Sequence, residues 1–236
     1  MNAVSEKTVG EWVRERPARS RVFEKFGIDY CCGGKKPLLE ACHEKAVDVN
    51  QVLSAIEQSD AQPHSEVIDW SKRTMTELCD HIIERHHEWL RRELPRMEFM
   101  AQKVARVHGE RHPEMLQVAQ VFQELKDEMM MHMHKEEEVL FPLIRKMEET
   151  SRRPQFHCGT LSMPIGVMEE EHENAGHALA RMRELTHDYV PPADSCNTFR
   201  ALLSTLEELE SDMHEHVHKE NNILFPAAQQ RESELR

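Results

Sequence analysis

Two segments of the chain repeat the same potential metal-binding pattern 84 residues apart. His132-Met-His-Lys-Glu136 and His216-Val-His-Lys-Glu220 each place a histidine four residues before a glutamate, and Leu-Phe-Pro follows each of them. Residues four apart on a helix lie about 40° apart around its axis and about one turn apart along it. Both side chains of each pair can therefore bind the same metal centre.

A fainter repeat precedes each of these segments. Glu84-Arg-His-His87-Glu88 and Glu169-Glu-Glu-His172-Glu173 align with an offset of 85 residues, so that His87 corresponds to His172. The two repeats together predict a duplicated helical hairpin, with one histidine on its first helix and the histidine-glutamate pair on its second.

We predict that this duplication builds a non-haem site for two iron ions inside a four-helix bundle. Each glutamate can bridge the two ions, and an oxo or hydroxo bridge would bring each to five ligands. One position on each iron then stays open for oxygen or nitric oxide. Zinc suits the pattern less well because it usually takes four ligands around a single ion. The six predicted ligands are His87, His132, Glu136, His172, His216 and Glu220.

The other histidines fall away from the ligand direction on a helical wheel. His134 and His218 lie two residues from a ligand, and His81, His86, His177 and His214 also point elsewhere. They are predicted to be surface or interface residues.

Acidic residues precede the ligand histidines by about one turn. One hypothesis is that they accept hydrogen bonds from imidazole N–H groups or guide iron, and an outward, solvated charged stripe explains them equally well. These residues are Glu84, Glu128, Glu169 and Asp212.

The elements that must position these residues are predicted to be helical throughout, because Glu, Met, Leu, Ala and Arg abound while glycine is scarce. Four long helices are predicted at about 74–108, 113–148, 163–188 and 195–230. The fold class is therefore all-α: an up-down four-helix bundle at 74–236, a linker at 61–73 and a small helical domain at 1–60.

Composition and charge restrict the classes of binding partner and the cellular compartment that we expect for the protein. A net charge of -13 argues against nucleic acid, and no segment approaches the apolar length of a membrane helix. The N-terminal residues lack the apolar core of a signal peptide, so we expect the cytoplasm. The six cysteines are then expected to be thiols.

These motifs resemble the hemerythrin-like domains. Together with Tyr30-Cys-Cys-Gly-Gly34, they resemble the di-iron repair of iron centres proteins, also called iron-sulfur cluster repair proteins. The resemblance places the iron ligands on the same six residues. It implies iron donation to iron-sulfur clusters damaged by nitric oxide or oxidative stress, and a homodimer. Oxygen-transporting hemerythrins use five histidine ligands, whereas four are found here, so oxygen transport is not expected.

Two questions stay open at the level of sequence. Cys31 and Cys32 either pass electrons or iron, which the resemblance favours, or only fill a turn. The protein is either an iron donor, an enzyme that reduces or traps nitric oxide, or an oxygen or redox sensor. Whether it is an enzyme is therefore undecided.

Overall fold

The computed structural model describes residues 7–61, 68–151 and 159–235. Within these ranges the chain forms helices and turns with one isolated β-bridge, between Thr8 and Pro37, and no strand. The α-helices are α1 (Val9–Glu15), α2 (Ser20–Lys25), α3 (Leu38–Glu44), α4 (Val49–Asp60), α5 (Met75–Ile82), α6 (Glu88–His108), α7 (Glu114–Lys135), α8 (Phe141–Glu149), α9 (Ser162–Leu185), α10 (Asn197–Lys219) and α11 (Phe225–Glu234). The predicted all-α class is confirmed.

Three π-helical turns interrupt the long helices in the described part of the chain. They are π1 (Ile83–His87), π2 (Glu136–Leu140) and π3 (Glu220–Leu224), and they join α5 to α6, α7 to α8 and α10 to α11. Each ends with a backbone hydrogen bond spanning five residues, from Glu88 N–H to Ile83 O, for example.

The chain divides into two compact units that do not follow chain order. The bundle unit comprises Asp80–Lys146 and Gln155–Met213, and the cysteine unit comprises Met1–Cys79, Met147–Pro154 and His214–Arg236. The domain limits expected from the sequence, with a linker at 61–73, stay a prediction.

The bundle unit holds the main lengths of the four long helices. One set of apolar residues in α6 recurs every three or four positions, as an amphipathic helix requires, and this set is buried: Leu90, Leu94, Met97, Ala101 and Val104. α6 packs on α7, and α7 packs on α9. Arg183 of α9 donates to Glu210 of α10 at 2.6 Å, which links these two helices.

The cysteine unit has its own apolar core, built from α1 to α4 and the turn between α2 and α3. α1 begins with a reciprocal cap, because Glu11 N–H donates to Thr8 Oγ1 at 3.2 Å while Thr8 N–H donates to the Glu11 carboxylate at 2.9 Å. Arg19 holds Asp60, the last residue of α4, through a 2.7 Å ion pair. The fully buried core side chains include Val9, Phe23, Tyr30, Leu38 and Val52.

None of the helices in the described ranges is both long enough and apolar enough to span a bilayer.

Candidate metal centre

Four of the six predicted ligands lie together in the bundle unit, and each is at most 1% exposed. His87 closes π1, His132 lies in α7, Glu136 opens π2 and His172 lies in α9. One Glu136 oxygen is 3.3 Å from His87 Nε2 and the other is 3.4 Å from His132 Nε2. His172 Nε2 lies 3.0 Å from His132 Nε2. A single buried carboxylate thus turns its two oxygens to two different imidazoles.

The remaining two predicted ligands lie in the cysteine unit. His216 of α10 and Glu220 of π3 are fully buried, and His216 Nε2 is 3.0 Å from a Glu220 oxygen. The spacing of four residues therefore brings the two donor atoms together, as the helical argument predicts.

The π-turns lie at the ligands themselves. π2 begins at Glu136 and π3 begins at Glu220, so the two turns follow the same 84-residue repeat as the ligands, while π1 ends at His87. Pro142 and Pro226, which have no N–H to donate, stand directly after the change of hydrogen-bond register. π-Turns inside α-helices occur frequently at functional sites, where they redirect side chains without ending the helix.

In two of the ligand imidazoles, Nδ1 contacts a carboxylate. Glu137 lies 2.6 Å from His87 Nδ1, and Glu171 lies 2.8 Å from His132 Nδ1. Hydrogen bonding to His87 lowers the pKa of Glu137 to about 2. Hydrogen bonding to His132 lowers the pKa of Glu171 to about 2 in the same way. Both carboxylates are therefore ionised at neutral pH.

The four acidic residues that precede the ligand histidines in the sequence differ in their burial. Glu84 and Glu128 are exposed and Glu169 is partly buried. Asp212 is buried, and its oxygens contact His86 Nδ1 at 3.0 Å and Arg85 at 3.1 Å.

Sequence reasoning missed Glu137 and Glu171, although each stands directly beside a ligand in the chain. Neighbouring residues on a helix point about 100° apart. The residue next to a ligand therefore points away from the metal centre, but its side chain can reach a ligand imidazole on a neighbouring helix. A basic residue about one turn after the ligand histidine is the signal that could have found them: Arg91 after His87, and Lys135 after His132.

Two of the histidines predicted to be surface or interface residues are not on the surface of the chain. His86 is 0% exposed and His218 is 5% exposed. His86 is buried because Asp212 accepts its Nδ1–H, and His218 because it packs beside Tyr30. Burial lowers the pKa of His218 to about 4, so this ring is neutral. His134 and His177 are exposed, as predicted.

Cys31 and Cys32 lie in a turn organised by one carboxylate. Asp29 accepts hydrogen bonds from the backbone N–H groups of Cys31 at 2.9 Å and Cys32 at 3.0 Å, and from the Cys31 thiol at 3.1 Å. The two sulfur atoms are 3.9 Å apart and form no disulfide. Hydrogen bonding to Cys32, and then burial, raise the pKa of the Cys31 thiol well above its ordinary value. Cys31 therefore keeps its proton.

This turn packs on the ligand-bearing end of the last long helix, within the cysteine unit. Asn222 Nδ2 donates to Cys31 O at 2.9 Å and to Tyr30 O at 3.3 Å, and His218 Nδ1 donates to Tyr30 O at 3.3 Å. Gly10 and Gly34 make room for the amide, because a Cβ on either would lie 2.4 Å from Asn222 Oδ1. The residue that holds the cysteine turn, Asn222, is thus only two positions after Glu220 in the chain.

The donor set fits a cation. In the bundle unit the donor atoms of His132, Glu136 and His172 lie within 4.8 Å of one another, as do those of His216 and Glu220 in the cysteine unit. Imidazole and carboxylate together suit iron, and their burial would cost several kcal/mol without a compensating partner.

Comparison with known domains agrees with this chemistry. Residues 78–228 match the hemerythrin HHE cation binding domain, and residues 5–60 match ScdA_N, a domain of unknown function. The first match covers more than half of the chain, and it defines a hemerythrin-type cation-binding protein with a small N-terminal domain.

Curated relatives narrow the class. An iron-sulfur cluster repair protein YtfE from Enterobacter sp. (strain 638) is 37% identical over 227 residues, which are 96% of this chain and 98% of the relative. The protein of the same name from Pectobacterium carotovorum subsp. carotovorum (strain PC1) is 36% identical over 226 residues, with the same coverage. That from Yersinia pseudotuberculosis serotype IB is 37% identical over 212 residues, 90% of this chain and 91% of the relative. The chain belongs to this family of iron-sulfur cluster repair proteins, which confirms the resemblance seen in its motifs.

Proposed function

We propose that this protein holds two non-haem iron ions and donates iron to damaged iron-sulfur clusters. The observation that carries the proposal is Glu136, a fully buried carboxylate with one oxygen beside His87 and the other beside His132. This placement supports a role for Glu136 as a carboxylate that would bind two ions, one through each oxygen. The names of the curated relatives supply the biological reaction, the repair of iron-sulfur clusters.

The ligands in this proposal are the six buried residues predicted from the repeat: His87, His132, Glu136, His172, His216 and Glu220. Glu136 and Glu220 would bridge the two ions and each ion would take two imidazoles. An oxo or hydroxo bridge would bring each iron to five ligands, and one further position would stay open for a small ligand such as nitric oxide or oxygen. The protein itself supplies imidazole nitrogens and carboxylate oxygens in a buried, water-poor interior.

The cysteine turn is the proposed exit for iron. Thiolates are good ligands for iron, and the donor atoms of Asp29, Cys31 and Cys32 lie within 4.8 Å of one another. Asn222, two residues after Glu220, donates a hydrogen bond to Cys31 O, so iron leaving Glu220 would meet thiols that are hydrogen-bonded to the same segment. The raised pKa of Cys31 keeps its proton in place until a cation displaces it.

The partners in this proposal are apo or damaged iron-sulfur proteins, met in the cytoplasm during nitrosative or oxidative stress, and the donor would be a homodimer. The negative net charge of -13 suits cation handling and disfavours nucleic acid.

Transfer of isotopically labelled iron tests the proposal. Iron-loaded protein is mixed with an apo ferredoxin and sulfide, with and without a ferrous chelator, and cluster formation is followed by absorbance. We expect labelled clusters to form even when the chelator removes free iron. A Cys31→Ser, Cys32→Ser double variant should keep its iron and transfer it slowly. Transfer that the chelator abolishes would contradict direct donation, and nitrous oxide formation from nitric oxide under reductant would favour the enzymatic alternative instead.

A further inference from the structure

The carboxylates on the outer nitrogens of His87 and His132 form a repeated arrangement. Glu137 contacts His87 Nδ1 with one oxygen at 2.6 Å and Arg91 with the other at 2.7 Å. Glu171 divides its oxygens in the same manner, between His132 Nδ1 at 2.8 Å and the Lys135 ammonium.

In both cases the cation and the imidazole come from one helical segment and the carboxylate from another. Arg91 lies four residues after His87, while Glu137 belongs to π2. Lys135 lies three residues after His132, while Glu171 belongs to α9. Each carboxylate is thus clamped at both oxygens and cannot rotate away from the ring without breaking an ion pair.

We propose that Glu137 and Glu171 are positioning residues that fix the hydrogen of His87 and His132 on Nδ1, so that Nε2 of each ring faces the metal. This inference rests on the proposed metal centre and extends it. Each carboxylate forms an ion pair with Arg91 or Lys135 through one oxygen, and a carboxylate in such a pair can only accept a hydrogen bond. The ring nitrogen that contacts its other oxygen therefore carries the hydrogen. In a neutral imidazole the other nitrogen then presents its lone pair.

The geometry of the opposite nitrogen agrees with this assignment. Nε2 of His87 and Nε2 of His132 are the atoms that face the two oxygens of Glu136, at 3.3 and 3.4 Å. A ring turned over about its Cβ–Cγ bond would exchange Nδ1 with Cδ2 and Nε2 with Cε1, so that C–H groups would face the carboxylates in place of the two nitrogens. The clamp therefore selects both the tautomer and the ring orientation that a metal ion requires.

The two clamping carboxylates, Glu137 and Glu171, lie at the edge of the buried candidate metal centre. The side chains of Glu137 and Glu171 are 20% and 26% exposed, whereas the two rings are at most 1% exposed. Replacing a partly solvated carboxylate leaves no isolated charge in the core, so the variants are expected to fold.

The test uses the full-length protein and two readouts. Zinc-substituted protein, which is diamagnetic, reports the tautomer of each histidine by nitrogen-15 NMR, and iron-loaded protein reports the rate of iron release to a ferrous chelator. In Glu137→Ala we expect the slowly exchanging Nδ1–H signal of His87 to be lost while that of His132 stays, and iron release to be about tenfold to a hundredfold faster. Glu171→Ala should do the reverse for the two rings.

The controls separate this inference from a general loss of structure. Glu138→Ala and Glu170→Ala change exposed glutamates next to the clamps and should match the unchanged protein. Arg91→Gln keeps the Glu137 carboxylate but frees one oxygen, so it should give a smaller increase in iron release and also provides the test if Glu137→Ala does not fold.

Two negative results have different meanings. Intact Nδ1–H signals and unchanged release in Glu137→Ala would overturn the positioning role while leaving the metal centre in place. Absence of bound iron from the unchanged protein would contradict the proposed function itself.

Discussion

The side-chain amide of Asn222 donates a hydrogen bond to the backbone carbonyl of Cys31 at 2.9 Å. Asn222 lies in π3, two residues after Glu220, so one short segment carries both a proposed iron ligand and the contact that holds the cysteine turn. A change in the position of that turn and a change in π3 are therefore coupled within the cysteine unit.

Asn222→Ala should loosen the cysteine turn without emptying the metal centre. The variant loses the two hydrogen bonds to Tyr30 O and Cys31 O, and each contributes about 0.5–1.5 kcal/mol. Cys31, which is buried in the unchanged protein, should then react faster with a thiol reagent, as measured by site-resolved mass spectrometry. Iron content should stay the same. Asn174→Ala, at an exposed position of α9, is the matched control, and an unchanged labelling rate of Cys31 in Asn222→Ala would contradict the coupling.

Gly34→Ala should destabilise the same contact by a steric route. A Cβ at this position would lie 2.4 Å from Asn222 Oδ1 and 2.5 Å from the backbone oxygen of Tyr30, which cannot move independently of the turn. We expect a loss of about 1–3 kcal/mol in the free energy of unfolding, measured by urea denaturation. Gly166→Ala is the control, because its Cβ would meet nothing within 4 Å and alanine favours the surrounding helix α9. Equal stability of the two variants would show that the turn is not tightly docked.

The sequence was sufficient to predict the helices because their signal is repetitive. The predicted helices at about 74–108 and 163–188 correspond to α5 through α6 (Met75–His108) and to α9 (Ser162–Leu185). Apolar residues at helical spacing report burial over many turns, so errors at single positions average out.

The π-turns and the clamping carboxylates could not be predicted in this way. A helical wheel assumes a constant rotation per residue, but π1 and π2 change the hydrogen-bond register beside His87 and Glu136. The buried position of His86 has a related cause, since it depends on Asp212 of another helix, a long-range contact that periodicity does not report. Whether the six residues bind iron together stays a prediction from the repeat and the family.

Acid should weaken the cysteine unit through Asp60. The hydrogen bond from Arg19 lowers the pKa of this carboxyl below its usual range, so folded Asp60 stays ionised at a pH where unfolded Asp60 binds a proton. The stabilisation is thus complete above the ordinary pKa of aspartate and is lost as the pH falls through the lowered pKa of folded Asp60. Its size should be about 1 kcal/mol or less.

Urea denaturation from about pH 6 down to about pH 3 measures this effect. Asp60→Asn should be less stable than the unchanged protein at the upper pH, and the difference should shrink as the pH falls. Asp127→Asn, at an exposed position of α7, is the control. A constant difference between Asp60→Asn and the unchanged protein over the whole range would contradict the role of the Arg19–Asp60 pair.

The iron content of the purified protein tests the central claim most directly. Iron analysis and the visible spectrum should give about two iron ions per chain and an oxo-bridge absorption. His132→Ala and Glu220→Ala should lose both, whereas His134→Ala and His177→Ala, which change exposed histidines, should keep them. An unchanged protein with one iron or none per chain, or full iron content in His132→Ala and Glu220→Ala, would contradict the proposed di-iron centre.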